Sequence, residues 1–326
     1  MLPTFSYVRP SSLKEALAQA TLDGARLHAG GTDLLGCLRD GVFGAASLVS
    51  LSGLDELRGI KESGDGGLRV GALTSISLLA ESPLVRGRAA ALAEAASVVA
   101  SPQLRNQGTL GGNLCQKPRC WYYRGDFHCA RKGGELCYAY GGENQFHCIF
   151  GGDGCYIVHP SDTAPALVAL QAIAHVSGPG GGRAVPLERF FVLPSVDRTR
   201  ETVLERGEIL TEVVIPAAAA GLRSSYRKVR ARASWDFALA GVALALRMHG
   251  KRVEEARVVL SGAAPVPWRS VRAEEVLLGA RLDEGTITRA AVAAVAKAEP
   301  LEGNAYKVAL FRGLVAEQLS ALTAQR

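Results

Sequence analysis

The sequence predicts an α+β protein that contains more than one packed unit. Its 326 residues exceed what a single small core organises. Residues 1–216 alternate short apolar runs, glycine turns and helical patterns. After residue 221, three strand patterns precede three helical patterns, and this order is typical of a separate α+β domain.

The first predicted unit is a small α/β unit over residues 1–60. Ser11 and Ser12 can cap a helix that extends to Ala20, because serine side chains accept hydrogen bonds from the first free amides of a helix. An apolar run at 26–29 predicts a strand that ends at a glycine pair. A second apolar run at 47–51 predicts another strand.

The second predicted unit covers residues 61–218. Its expected regular elements are a strand over 68–73, an alanine-rich helix over 88–100, a helix over 163–170 and a strand over 208–215. A glycine turn is expected at 109–113. The Gly-Pro-Gly-Gly-Gly run at 178–182 predicts a hairpin loop.

The third predicted unit is an α+β domain over residues 222–326. Pro216 and the alanines that follow it predict a linker up to residue 221. Strands are expected over 224–230, 237–248 and 253–261. Helices are expected over 271–278, 287–298 and 305–324.

Charge and hydropathy exclude two classes of partner. The net charge is +6 and the isoelectric point is near 9.0, but no dense Lys/Arg run appears, so nucleic-acid binding is not expected. No apolar run approaches the roughly 18–20 residues that span a membrane. The first ten residues lack a signal-peptide pattern, so a cytoplasmic location is expected, although a folded complex can also be exported on a partner's signal.

Two glycine pairs could bind an anion. One lies in Ala29-Gly30-Gly31-Thr32-Asp33-Leu34, and the other lies in Thr109-Leu110-Gly111-Gly112-Asn113. Paired glycines allow backbone amides to approach a pyrophosphate without a Cβ clash. Two ordinary turns are the alternative. Neither segment is a GxGxxG or a GxxxxGK[ST] motif, so a Rossmann or P-loop site is not predicted.

These loops, taken with other motifs in the same order, resemble the flavoprotein subunits of the xanthine dehydrogenase and carbon monoxide dehydrogenase family. The further matching segments are Gly71-Ala72-Leu73-Thr74, Ser161-Asp162-Thr163-Ala164-Pro165-Ala166-Leu167, Tyr226-Arg227-Lys228-Val229-Arg230 and Ser261-Gly262-Ala263-Ala264-Pro265-Val266-Pro267-Trp268-Arg269. Together they span nearly the whole chain, although each is short.

The resemblance implies two FAD-binding subdomains, 1–60 and 61–218, followed by the C-terminal domain. It implies that both glycine loops hold the FAD pyrophosphate, and that Asp162 and Lys228 also contact FAD. The expected loop residues are Ala29, Gly30, Gly31, Thr32, Asp33, Leu34, Thr109, Gly111, Gly112 and Asn113. Taken alone, Asp162 could instead cap a helix, and Lys228 could be a solvated lysine on a strand.

The cysteines predict a metal centre. Six of the seven lie between Cys115 and Cys155, and an odd count without a signal peptide argues against a disulfide framework. Zinc sites usually show closer pairs, whereas wide spacings suit a loop around a larger object such as a [4Fe–4S] cluster. Arg119, Arg124, Arg131 and Lys132 are expected to offset the cluster's negative charge. Cys37 is expected in the core.

The stretch also resembles one branch of the family that carries an iron–sulfur insertion, here about residues 114–157. That branch includes aldehyde dehydrogenases of the molybdenum hydroxylase type and 4-hydroxybenzoyl-CoA reductase. The likeness implies Cys120, Cys129, Cys137 and Cys155 as ligands of a [4Fe–4S] cluster, with Cys115 and Cys148 spare. Zinc or free thiols are the alternatives. His128, His147 and His159 are interpreted as structural or surface residues.

The resemblance implies a three-part oxidoreductase. A large subunit would hold the molybdenum cofactor, a small subunit would hold two [2Fe–2S] clusters, and this chain would pass electrons through FAD to an external acceptor. A heterotrimer or a dimer of heterotrimers is expected. One alternative is a 4-hydroxybenzoyl-CoA reductase-type enzyme that runs electrons inward. An alternative of another class is a zinc-stabilised, non-enzymatic binding protein.

Overall fold

The structure is a computed structural model that describes residues 1–219 and 222–324. Within these ranges, three separate β-sheets organise the chain, one of three strands, one of five and one of four. Within the same ranges, no helix is both long and apolar enough to span a bilayer.

The first sheet is parallel and short. Its strands are β1 (Ser6–Val8), β2 (Ala25–His28) and β3 (Ser47–Ser50), in the order β1-β3-β2. Helix α1 (Leu13–Ala20) follows β1 and begins where predicted, since the side chain of Ser12 accepts from the Glu15 amide. Helix α2 (Leu34–Arg39) follows β2 and carries the buried Cys37.

The second sheet is antiparallel. Its strands are β4 (Ile60–Glu62), β5 (Leu68–Gly71), β6 (Ile173–Gly178), β7 (Gly181–Pro186) and β8 (Ile209–Ile215), in the order β4-β5-β8-β6-β7. The hairpin predicted over 178–182 joins β6 and β7, but its turn is shorter than expected, because Gly178 pairs with Gly181 and Ser177 pairs with Gly182.

Seven helices lie between β5 and β6 along the chain. They are α3 (Ile76–Glu81), α4 (Pro83–Arg88), α5 (Ala90–Ser97), α6 (Pro102–Gln107), α7 (Leu110–Leu114), α8 (Trp121–Arg124) and α9 (Thr163–Ala169). Short 3-10 turns occur at Asp55–Leu57, Ala130–Lys132, Leu187–Arg189 and Ala217–Ala219.

Two predictions for this region are wrong in detail. The helix expected over 88–100 extends only over α5, because Ala89 adopts a non-helical conformation (φ −146°, ψ 55°) that separates α4 from α5. The segment 109–113, expected as a turn, forms the start of α7. There the hydroxyl of Thr109 accepts from the Gly112 amide at 3.2 Å and caps the helix.

The third sheet is antiparallel and belongs to the C-terminal region. It contains β9 (Arg223–Val229), β10 (Ala240–His249), β11 (Arg252–Ser261) and β12 (Trp268–Arg269), in the order β12-β11-β10-β9. Helices α10 (Val271–Leu277), α11 (Glu284–Ala294) and α12 (Tyr306–Ala324) follow, and apolar residues of β10, β11 and these helices share one buried core.

The strand predicted over 237–248 begins three residues late. The chain before β10 is pinned in a loop, where Trp235 has φ +54° and its amide donates to the Ala100 carbonyl at 3.1 Å. In the predicted linker, residues 217–219 form a 3-10 turn, and residues 220 and 221 lie outside the described part of the chain.

Candidate functional site

A cavity of about 920 Å³, called the main cavity below, is lined by all twelve residues predicted to contact FAD. They come from the loop between β2 and α2, the start of α7, the start of α9 and strand β9. The structure therefore brings together four sequence segments that are far apart along the chain.

The loop at 29–34 depends on both of its glycines. Gly31 has φ +71°, a left-handed conformation that glycine tolerates best. A Cβ on Gly30 would lie 2.1 Å from the Gln107 carbonyl oxygen, so only glycine permits this approach of the two backbones. The tight packing places the loop beside the end of α6, directly before α7 in the chain.

The second glycine pair lies in the first turn of α7. The Gly111 amide donates to the Ala72 carbonyl at 2.8 Å. Asn113 is held by two hydroxyls, since its Oδ1 accepts from Ser161 Oγ at 2.5 Å and from Thr163 Oγ1 at 2.7 Å. These contacts join α7 to the start of α9.

Asp162 and Lys228 form a buried ion pair at the main cavity. Lys228 Nζ lies 2.7 Å from Asp162 Oδ2, and the two side chains are only 1% and 5% exposed. Tyr226 donates its hydroxyl to Asp162 Oδ1 at 2.7 Å. Asp162 stands at the N-cap position of α9 but makes no capping hydrogen bond with its side chain, and Lys228 is not solvated. Both alternatives drawn from the single residues are therefore wrong.

Replacing Lys228 with methionine should lower the free energy of unfolding by about 3–5 kcal/mol, because the change leaves the Asp162 carboxylate buried without its cation. The measurement is urea denaturation. Arg227→Met is the matched control on the same strand. Arg227 pairs with Glu317 at the surface, with both side chains more than half exposed, so its loss should cost less than about 1 kcal/mol. Equal losses in the two variants would contradict the prediction.

Asp33 ties the loop at 29–34 to the cysteine-rich segment, residues 114–157. Its carboxylate accepts from the Lys117 amide and from Arg124, both at 2.7 Å, and it lies 2.9 Å from Arg119 Nη2. Arg119 and Arg124 were expected to offset the charge of a cluster. In the structure both guanidiniums are paired with Asp33 in the wall of the main cavity.

The main cavity carries an excess of positive charge. Its lining cations are Arg26, Arg39, Lys117, Arg119, Arg124, Lys228 and Arg232, and its lining carboxylates are Asp33, Asp40, Asp162 and Asp236. Sequence reasoning missed Lys117, Arg119 and Arg124 as parts of this cavity. The sequence signal that could have identified these three residues is their position shortly after the second glycine pair. Such a cavity favours an anionic ligand.

The four cysteines predicted as ligands line a second, small cavity of about 10 Å³, called the cysteine cavity below. These residues are Cys120, Cys129, Cys137 and Cys155, and the cavity is also lined by His147 and Arg131. Cys115 lines the main cavity instead. Over residues 1–219 and 222–324, no three His, Cys, Asp or Glu side chains are grouped so that they could hold a single metal ion.

Most of the residues that line the cysteine cavity are buried or partly buried. Burial raises the pKa of the Cys120 thiol to about 11. Burial also raises the pKa of Cys155, which the neighbouring Arg131 opposes. His147 Nε2 lies 3.3 Å from Cys120 Sγ, and burial and the nearby Lys307 lower the pKa of His147 to about 4. Of the four basic residues expected to offset cluster charge, Arg131 lines the cysteine cavity.

Acid should destabilise the fold through His159. This histidine is buried against Phe191, and burial lowers its pKa from 6.5 to about 4. The unfolded chain binds the proton more readily, so the stability is complete above pH 6.5 and is lost as the pH falls toward 4. Unfolding measured across this range should show a loss of about 3 kcal/mol from this group.

His159→Gln should remove part of that pH dependence, and His249→Gln is the matched control because the His249 side chain is 87% exposed. If both variants kept the wild-type slope of unfolding free energy against pH, buried His159 would not be its source.

Comparisons with known proteins agree along the whole chain. The family described as the FAD binding domain in molybdopterin dehydrogenase matches residues 3–218, and the CO dehydrogenase flavoprotein C-terminal domain matches residues 224–322. The chain is 35% identical to the aldehyde oxidoreductase FAD-binding subunit PaoB of Escherichia coli, over 99% of this chain and 100% of that protein.

The carbon monoxide dehydrogenase medium chain of Hydrogenophaga pseudoflava is 33% identical, over 99% of this chain and 98% of that protein. A solved structure of carbon monoxide dehydrogenase from the same organism, lacking the Mo-pyranopterin moiety, superposes with a TM-score of 0.79. That match has 32% identity and covers 99% of each chain. The predicted mixed helix and sheet fold, with an FAD-binding region followed by a C-terminal α+β domain, is confirmed.

Proposed function

This chain belongs to the family of FAD-binding domains of molybdopterin dehydrogenases, and we propose that it is the FAD-carrying electron-transfer subunit of a molybdenum-containing hydroxylase or dehydrogenase. The observation that carries the proposal is the main cavity, in which all twelve residues predicted to contact FAD converge. Family membership makes the chain an oxidoreductase subunit, so a non-enzymatic binding protein no longer fits.

The main cavity fits FAD in its chemistry. The two glycine loops line the cavity, where backbone without a Cβ allows a ligand to come close. The surplus of cationic side chains suits the negative charge of the diphosphate. In this proposal the loops at 29–34 and 109–113 bind the diphosphate. Asp162 and Lys228 face the cofactor as a fixed ion pair, and the carboxylate of Asp33 positions the cysteine-rich segment. When bound, FAD accepts single electrons and delivers a pair.

We further propose a [4Fe–4S] cluster on Cys120, Cys129, Cys137 and Cys155. Four thiols around one cavity match the cluster in number and in kind of ligand. A cluster is larger than one ion and holds its thiolates farther apart than zinc does, so the absence of a single-ion site among the described residues does not oppose it. Arg131 would offset the thiolate charge at Cys155.

The named relatives are subunits of larger enzymes, one an FAD-binding subunit and one a medium chain. We propose a large subunit with the molybdenum cofactor, a small subunit with two [2Fe–2S] clusters and an external electron acceptor as partners. The complex would be a heterotrimer or a dimer of heterotrimers. Electrons would leave through this chain; inward flow, as in a 4-hydroxybenzoyl-CoA reductase-type enzyme, is the alternative. The unit boundaries 1–60, 61–218 and 222–326 and the cytoplasmic location stay predictions.

Cofactor analysis of the complex that contains this chain tests the proposal. The expected result is a flavin absorption spectrum and one FAD for each copy of this chain. About four irons, with matching acid-labile sulfide, are expected beyond those of the small subunit. A chain without flavin would refute the function. Flavin without the extra iron, or with zinc in its place, would refute only the cluster. Redox titration of flavin and clusters would decide the direction of electron flow.

A further inference from the structure

Arg119 places a guanidinium from the cysteine-rich segment in the wall of the main cavity. It lies between Pro118 and Cys120 in sequence, yet its Nη2 lies 2.9 Å from the carboxylate of Asp33 in the loop at 29–34. The same nitrogen donates to Gln116 Oε1 at 3.0 Å. The cysteine-rich segment therefore holds this side chain beside the loop at 29–34.

The donors of Arg119 are not all used. A guanidinium carries five N–H groups. Nε is buried and has no hydrogen-bond partner in the described part of the chain. One face of the group is covered by the Phe237 ring, whose centroid lies 5.1 Å from Cζ, which orients the guanidinium plane. Because Nε is sealed from solvent while the side chain as a whole is 31% exposed, the donors that a ligand in the main cavity can reach are those on the terminal nitrogens.

The local charge is also unbalanced. Asp33 faces two guanidiniums, those of Arg119 and Arg124. The nearby carboxylate of Glu201 is already shared by Lys117 and Arg131. An anion in the main cavity would supply the missing negative charge.

We propose that Arg119 is an additional binding residue for the diphosphate of FAD, contributed by the cysteine-rich segment. This inference rests on the proposed function. FAD carries its negative charge on the diphosphate, and Arg119 stands beside one of the two glycine loops assigned to that group. The segment is therefore part of the flavin site itself, in addition to being the proposed place of the cluster.

The test compares Arg119→Gln with the wild type in the whole complex, after removal of the flavin. Three probes are titrated: FAD, riboflavin, which lacks phosphate, and ADP, which has the diphosphate without the flavin. Loss of a charge-assisted hydrogen bond should weaken FAD binding by about 10- to 100-fold. ADP should weaken in proportion, and riboflavin should bind as to the wild type.

Two variants keep the test decisive. Arg119→Lys keeps the charge without the fork of donors, and it should bind FAD with intermediate affinity. Arg312→Gln removes one positive charge from an exposed position on α12 and should change no affinity. If Arg119→Gln fails to fold, the Arg119→Lys titration decides alone, through a loss of FAD and ADP affinity with riboflavin unchanged.

Two results would overturn the inference. One is unchanged FAD affinity in both Arg119 variants. The other is an equal loss of FAD and riboflavin, which would mean that Arg119 only supports the local fold through Asp33. A wild-type chain that binds no FAD would instead refute the proposed function, so the two failures are distinguishable.

Discussion

Replacing Gly112 with valine is expected to lower the bound FAD by about tenfold or more while the chain stays folded. Gly112 lies in the first turn of α7 and lines the main cavity. A Cβ at this position would meet only Thr109 Oγ1, at 3.1 Å, so a side chain has room to enter the space assigned to the cofactor. The measurement is the FAD content of the purified complex.

Gly112 tests ligand binding more directly than Gly30 or Gly111 in the same two loops. A Cβ on Gly30 would collide with the Gln107 backbone, and one on Gly111 would lie 3.1 Å from the Ala72 carbonyl oxygen. A side chain at Gly30 or Gly111 would disturb the packing of the backbone, so a loss of FAD in those variants would not report on binding alone. Gly313→Val is the matched control, since Gly313 is an exposed glycine of α12 with no atom within 4 Å of its Cβ direction. Normal FAD content in Gly112→Val would sink the assignment of this loop.

Local sequence signals were sufficient to predict strands such as β8 and the capped beginning of α1. Strand β8 is predicted over 208–215 and is found at Ile209–Ile215, because a run rich in β-branched residues favours a strand. The beginning of α1 followed from Ser12 alone. These elements are determined by residues that are neighbours along the chain.

Other features depend on contacts that the sequence does not place side by side. The beginning of α5 is an example, because the Ala91 amide donates to Ser224 Oγ on β9 at 3.2 Å, and no breaker residue marks the position. The site shows the same limit. Asp33 was recognised within its loop, but its partners Lys117 and Arg124 lie 84 and 91 residues away. Only the fold shows that this carboxylate joins the loop at 29–34 to the cysteine-rich segment.

Replacing Cys137 with serine is expected to abolish the extra iron and sulfide of the complex while FAD remains. A [4Fe–4S] cluster needs four thiolate ligands, and a hydroxyl is a poor replacement. Cys137 lines the cysteine cavity and lies outside the lining of the main cavity, so its loss should affect the two cofactors differently. The measurements are iron and acid-labile sulfide for each chain, with FAD quantified in the same sample. Iron at the wild-type level would remove Cys137 from the ligand set.

Cys148→Ser is the matched control, and it addresses the cysteine most able to replace a neighbour. Cys148 is buried, as Cys129 and Cys155 are, whereas Cys120 and Cys137 are partly buried, and charge on Cys148 would influence Cys155 and Cys137. Its sulfur, however, faces Gly152, where an added Cβ would lie 2.7 Å from Sγ, and its amide donates to the Tyr156 carbonyl. Because the thiol points to that turn, the variant should keep its iron. Loss of iron in Cys148→Ser with retention in Cys137→Ser would exchange the two residues in the ligand set.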